Sequence, residues 1–281
     1  LFKSNPDALR EHSSTNDIFF KLRYKDVTGC TNDDIRALAA EGAAEGTVVA
    51  AARQTNGRGR KAHIESITRT WESPLGGLYF SALFRPQNLD IKRVQLIPFM
   101  AGVALAEGIS NAAKITTHIR WVNDILAQDR KLCGILAEAS IISGNNVSQC
   151  NYFIIGAGVN ANFSALGLSS VVAPTATSII DLTGSQIDLN HLLRSILERL
   201  SHYYNVLCKG NPKEILNRMR QKDWSLDRPL QVAEYRDRVH EMRYGTGRGI
   251  DDSGNLLLDD GNGTRTISFG EIFTGTAFER K

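Results

Sequence analysis

The segment Gln54-Thr55-Asn56-Gly57-Arg58-Gly59-Arg60-Lys61 sets two glycines and three cations within five residues, directly after a strand-like run at residues 47–52. Glycine lets backbone amides approach an anion, and the forked donors of arginine match phosphate or carboxylate oxygens. The spacing is not the G-x-x-x-x-G-K-[ST] loop of the P-loop NTPases, so the residues alone leave three readings open: an anion-binding loop, a solvated basic loop, and an Arg-Gly nucleic-acid-binding module. Further on, Arg120-Trp121-Val122-Asn123-Asp124 sits in one apolar run and Lys131 begins the next, across the turn Gln128-Asp129-Arg130. A hairpin would bring these polar groups face to face. Gly156-Ala157-Gly158-Val159-Asn160-Ala161 matches the degenerate dinucleotide pattern G-x-G-x-x-A, with Asp181 about 20 residues on. That fingerprint must open a helix within a βαβ unit. Asn160-Ala161-Asn162-Phe163-Ser164 is poor helix material, which weighs against an NAD(P)-binding oxidoreductase.

The elements that would position these residues can be read from periodicity. Ser14-Thr15-Asn16-Asp17 before Ile18, Phe19, Phe20 and Leu22 has the composition of a helix cap leading into an apolar face. Residues 77–84 read as a strand, and 91–113 as a long helix begun by Asp90 and open to a kink at Pro98. Three apolar strands follow at 119–127, 131–139 and 152–159, whose short connections favour antiparallel neighbours. Asp188 caps a helix with Leu189, Leu192, Leu193, Ile196, Leu197 and Leu200 on one stripe, and Asn211-Pro212 opens another. After Trp224 the texture changes to short strands divided by Asp252-Ser253-Gly254 and Asp260-Gly261-Asn262-Gly263. A boundary there separates residues 1–224 from a small β-domain at 225–281.

Composition excludes more than it identifies. The chain has 281 residues, 42% hydrophobic and 22% charged, enough for a sizeable core. Lys plus Arg exceeds Asp plus Glu by 33 − 30 = +3, too little to argue for nucleic acid or an anionic membrane. No uninterrupted apolar run approaches the ~20 residues of a bilayer span, and residues 1–10 lack a signal-peptide core, so a cytoplasmic protein is expected. Cys30, Cys133, Cys150 and Cys208 form no C-x-x-C pair and read as reduced thiols, and the six His show no metal-ligand spacing.

Taken in order, Ser14-Thr15-Asn16, the 54–60 loop, Arg120-Trp121-Val122-Asn123-Asp124, Arg130-Lys131-Leu132-Cys133-Gly134-Ile135-Leu136 and Gly156-Ala157-Gly158-Val159-Asn160 resemble biotin protein ligases. The resemblance continues through Pro174-Thr175-Ala176-Thr177-Ser178-Ile179 to Gly247-Arg248-Gly249-Ile250-Asp251. It implies an α+β fold, in which a mixed, largely antiparallel sheet with helices on one side (class II synthetase-like) precedes a small SH3-like β-barrel. It implies that biotin is activated by ATP to biotinyl-5′-AMP and passed to a lysine of a biotin carboxyl carrier domain. About a dozen residues precede Ser14, too few for the N-terminal helix-turn-helix of the repressor relatives, so a monofunctional ligase is expected. The rival within the superfamily is a lipoate or octanoate ligase or transferase.

The same resemblance distributes roles. Lys131 would hold both the biotin carboxylate and the α-phosphate, with Arg58 and Arg60 as further catalytic cations. Ser14, Thr15, Gln54, Gly57 and Arg58 would meet the ureido and ring end of biotin, and Gly134 and Gly156 would let it approach closely. Asn123 and Asp124 would lie near the adenylate, Asp124 helping to place Mg²⁺. Asn160 would recognise adenine, Trp71 would stack over the nucleotide as the loop closes, and Arg60 would retain the intermediate. ATP with Mg²⁺ and biotin are the implied ligands, with no prosthetic group. The implied partners are the carrier domain of a biotin-dependent carboxylase and a second copy in a homodimer, with no nucleic acid and no membrane.

Overall fold

The structure, a computed structural model, describes residues 18–60, 70–87, 89–144, 147–236 and 239–273. Strands buried on both faces build its centre. Seven strands form a mixed sheet in the order β1-β2-β3-β7-β6-β5-β4, in which β1 (Lys21–Thr28) and β2 (Thr47–Gln54) are parallel and every other pair is antiparallel. The remaining strands are β3 (Leu78–Phe84), β4 (His118–Arg120), β5 (Asp124–Ala127), β6 (Arg130–Gly144) and β7 (Val147–Val159). Because successive side chains point to opposite faces, Val48, Ala50, Phe80, Ala82, Phe84, Phe153 and Ile155 join one large core. Val49, Leu83 and Ile154 join a small one on the other face with Ile35 and Ala39 of α1 (Thr31–Ala40). The helices therefore flank the sheet on both sides instead of the single side implied by resemblance.

The larger core is closed by α2 (Ile97–Ala113), α4 (Leu189–Lys209) and α5 (Pro212–Gln221), with the short α3 (Ile179–Thr183) between. Asp90 accepts a hydrogen bond from Lys92 N and starts a 3-10 turn at Ile91–Leu96, after which Pro98 falls in the first turn of α2. Proline has no N–H to lose there, so it marks a helix start and not a kink. By length and composition the stretch Ile91–Ala113 would suffice to cross a membrane, and 67% of its most apolar window is buried inside the fold.

Two expectations change. Residues 21–28 form a strand, not a helix: Leu22 and Tyr24 pack on the core while their neighbours face outward, a period of two. The expected strand at 119–127 is broken by a turn at Trp121-Val122-Asn123 into β4 and β5. After α5, residues 222–224 pair with β4, and β8 (Pro229–Arg236), β9 (Val239–Ile250), β10 (Leu256–Asp259), β11 (Thr264–Ile267) and β12 (Gly270–Phe273) form a second, antiparallel sheet ordered β11-β10-β9-β8-β12. Trp121 Nε1 donates to Gly254 O across the two sheets at 3.0 Å.

The contact of α2 with α4 depends on one missing side chain. A Cβ on Gly108 would stand 2.6 Å from Ile196 Cα, closer than such atoms approach. Helix propensity favours Gly108→Ala by about 0.5–1 kcal/mol, but overpacking costs about 1–3 kcal/mol, so a net loss of stability is expected in urea denaturation with an unchanged m-value.

Candidate active site

The hollow lies on the α1 face, where the sheet gives up side-chain bulk at the register neighbours Ser81, Gly134, Gly156 and Gly158. It divides into an inner part of about 50 Å³ and an outer cleft of about 240 Å³. Trp71, Arg60, Asn123 and Lys131 line both. Gly57 O accepts from Trp71 N at 2.7 Å, which seats the indole against the floor. A Cβ on Gly134 or Gly158 would come within 2.7 and 2.2 Å of the indole.

Lys131 reaches the cleft because of a bulge. Asp124 pairs with Gly134 and Ile125 with Cys133, but Leu126 pairs with Lys131, leaving Leu132 as an extra residue. Strict alternation would put Lys131 on the face of Cys133, in the helix-covered core; the bulge turns it to the other side. Its Nζ lies 2.7 Å from Asp124 Oδ1 and 5.4 Å from the centre of the Trp71 ring. Arg120 Nη2 donates to Asp124 Oδ2 at 2.6 Å. Burial pushes the Asp124 carboxyl up, but Lys131 and Arg120 outweigh it and hold the group at about 2.

The loop arginines point to different places. Arg58 Nη2 lies 2.8 Å from Asp33 Oδ1 and 3.3 Å from Glu138 Oε2, beside the inner hollow. Arg60 Nη2 donates to Gly270 O in β12 at 2.8 Å and Nη1 to Asn123 Oδ1 at 3.4 Å, so the second sheet closes the outer cleft, where Tyr235 and Glu271 also line it. Two buried donors in the inner hollow, Arg58 Nε and Trp71 Nε1, have no acceptor. A ligand presenting acceptor oxygens would satisfy them.

Several expected roles shift. Gln54 lines the inner hollow, yet its Oε1 accepts from Thr31 N at 2.9 Å and its Nε2 donates to Ser73 Oγ at 2.9 Å, so it braces the wall. The space above Gly156 is taken by Asn32, whose Oδ1 would be 1.8 Å from an added Cβ. Asn160 lines the outer cleft with one amide hydrogen held by Thr177 O at 2.9 Å. Asp124 does not suit a metal: both oxygens already face cations, and no group of three or more His, Cys, Asp or Glu gathers among the described residues. Gly156-Ala157-Gly158 lies inside β7 and opens no helix, which removes the dinucleotide reading. Ser14, Thr15 and residues 61–69 of the expected closing loop lie outside the described residues. Sequence reasoning missed Cys30, Thr31 and Asn32, which line the inner hollow at the start of α1, and Glu138 beside it. The signal was a second Thr-Asn pair, Thr31-Asn32, just after the strand that ends in Val27-Thr28.

The chain matches the biotin/lipoate A/B protein ligase family model over residues 27–160 and the biotin protein ligase C-terminal domain over residues 240–275. The Bacillus subtilis bifunctional ligase/repressor BirA is 32% identical over 261 residues, which are 90% of this chain and 74% of that protein. The biotin–[acetyl-CoA-carboxylase] ligase of Mycobacterium tuberculosis is 30% identical, covering 87% of this chain and 85% of its own. Among solved structures, a biotin protein ligase from Aquifex aeolicus in complex with biotin and ATP superposes with a TM-score of 0.72 at 25% identity, covering 90% of this chain and 97% of that one. The first family match begins after Ser14 and Thr15 and contains Thr31 and Asn32.

Asp124 also makes an acid-stability prediction. A carboxyl lowered from 3.8 to about 2 contributes stability that is complete above pH ~4 and is lost as pH falls toward 2. Asp124→Asn should lower stability at pH 7, by removing the charge that faces Lys131 and Arg120, and should flatten the slope between pH 4 and 2 in urea titrations.

Proposed function

The chain belongs to the biotin protein ligase family, and from that premise we propose that it condenses biotin with ATP to biotinyl-5′-AMP and transfers the biotinyl group to a lysine of a carboxylase's biotin carboxyl carrier domain. The observation that carries this reading is the place of Lys131, which lines the inner hollow and the outer cleft at once. In the first step a biotin carboxylate oxygen attacks the α-phosphorus of ATP and pyrophosphate leaves. Two anions have to meet, and a fixed cation between their sites lowers that barrier. Asp124 keeps Lys131 there through the 2.7 Å pair. In the second step the carrier lysine's neutral amine attacks the acyl carbon, AMP leaves as the anion, and the amine's proton passes to solvent.

The inner hollow takes the biotin end, because its unpaired donors Arg58 Nε and Trp71 Nε1 suit the acceptor oxygens of that ligand. The outer cleft takes the nucleotide beside Asn160, Asn123 and Arg60. Magnesium enters as part of the Mg·ATP substrate, since Asp124 is committed to its cations. A lipoate ligase is disfavoured by the C-terminal match and by the second sheet's share of the cleft wall through Tyr235 and Glu271.

Exchange of radiolabelled pyrophosphate into ATP tests the reading: biotin should support it, and lipoate or NAD should not. Lys131→Ala should lower that exchange by on the order of a hundredfold or more with an unchanged circular dichroism spectrum, because the lost cation stabilises charge in the transition state while leaving a half-buried strand end. A rate within a few-fold of the parent would remove Lys131 from the chemistry.

Arg60 separates retention of the intermediate from its synthesis. Arg60→Gly breaks the contacts to Gly270 O and Asn123 that close the outer cleft. Release of biotinyl-AMP should speed up by about ten- to a hundredfold, and albumin added as a bystander should become biotinylated in proportion to its concentration. Strict carrier specificity in this variant would place the latch elsewhere.

A further inference from the structure

Beside the inner hollow, one carboxylate gathers donors from two separate elements. Glu138 Oε2 on β6 accepts from Asn32 Nδ2 at 2.7 Å and from Arg36 Nη2 at 2.7 Å, both on α1. Arg58 Nη2, in the loop after β2, lies 3.3 Å from the same oxygen. Glu138 stands on the floor side of β6, in alternation with Gly134 and Leu136. Arg58 also has a competing anion, Asp33 Oδ1, at 2.8 Å. The Asp33 side chain is 47% exposed and that of Glu138 28%, so one carboxylate draws the guanidinium toward solvent and the other toward the hollow.

We propose that Glu138 is a positioning residue for the biotin end of the site, holding Arg58 so that its unpaired Nε serves the ligand. The proposal rests on the function argued above. The Arg36 and Asp33 side chains of the cluster are largely exposed and add little to stability through their pairs, so the value of the cluster is geometric. A guanidinium is a rigid planar fork: fixing its terminal nitrogens fixes Nε.

The same carboxylate anchors a chain of hydrogen bonds around the hollow. Ser81 Oγ lies 2.6 Å from Asn32 Oδ1 and 2.8 Å from Thr31 Oγ1. Thr31 Oγ1 stands 3.2 Å from Gln54 Oε1, Gln54 Nε2 donates to Ser73 Oγ at 2.9 Å, and Ser73 Oγ donates to Trp71 O at 3.1 Å. Both buried donors that await an acceptor, on Arg58 and Trp71, thus sit at the ends of one connected frame. Of this frame Trp71 alone also lines the outer cleft, and Asn160 and Asn123 are not part of it.

The test is steady-state pyrophosphate exchange on the full chain with biotin and ATP varied separately. Glu138→Gln should raise the KM for biotin roughly tenfold while the KM for ATP moves less than about twofold, the loss expected for one charge-assisted contact. In an Arg58→Ala background the same substitution should add much less to the biotin KM than it does in the parent, because the main partner it positions is gone and only its contacts to Asn32 and Arg36 remain. Glu138→Asp, which keeps the charge on a shorter arm, should show a smaller rise and serves as the second probe if Glu138→Gln folds poorly. Equal effects on both substrates, or additive effects with Arg58→Ala, would overturn the positioning role. A parent enzyme with no biotin-dependent exchange would instead overturn the functional reading on which it rests.

Discussion

A carboxylate taken out of water must be paired, and in this fold the pairing of Asp124 with Arg120 and Lys131 organises everything near it. Asp124 begins β5, Arg120 ends β4 and Lys131 is the second residue of β6, so one buried charge ties three consecutive strands together. Its two cations are unequal. The Arg120 side chain is 11% exposed and serves to compensate the charge, whereas that of Lys131 is 31% exposed and remains available to the cleft. The same interaction that makes the hairpins tolerable in a low-dielectric interior therefore also aims the cation that the chemistry needs.

The central sheet solves two problems with its two faces. One face is filled with aromatic and branched side chains, among them Phe80, Phe84 and Phe153, which α2 and α4 cover. The other gives up bulk at Ser81, Gly134, Gly156 and Gly158, and the resulting hollow is furnished by side chains reaching in from outside: Asn32 from α1, Trp71 from the loop and Arg58 beside it. Where the floor is reduced to glycine backbone it lets these side chains lie close against the sheet.

Much of this was legible in the sequence because it rests on local chemistry. The Gly-Arg loop, the helix at Asp188 with its apolar stripe, the hairpin strands and the change of texture after Trp224 all follow from residue type and period. What escaped depends on long-range placement. Lys131 is marked in the sequence by its place in the hairpin, but the bulge at Leu132 that turns it into the cleft is not, because an extra residue leaves no mark in the alternation. Glu138 looks like an ordinary strand carboxylate, because its partners Asn32 and Arg58 are distant in sequence. Ser14-Thr15-Asn16, which reads both as a cap and as a biotin-binding stretch, lies outside the described residues, whereas Cys30-Thr31-Asn32, with two of the same three residues, lines the hollow. Gly156-Ala157-Gly158 imitated a nucleotide fingerprint because a floor for a ligand and a turn under a phosphate both call for glycine.

The short linker at residues 222–224 has a role in how the molecule behaves toward its neighbours. Ile119 N donates to Lys222 O at 2.7 Å and Trp224 N donates to Ile119 O at 3.0 Å, so the outer backbone groups of β4 are spent within the chain. A sheet can be lengthened by a foreign strand only at a side that still offers such groups. At the opposite end of the sheet, the β1 side, Lys21, Arg23 and Lys25 alternate along the rim. Repeated like charges disfavour the stacking of further strands. The chain thus guards one end of its sheet by self-pairing and the other by charge, two unrelated defences against aggregation on a single surface.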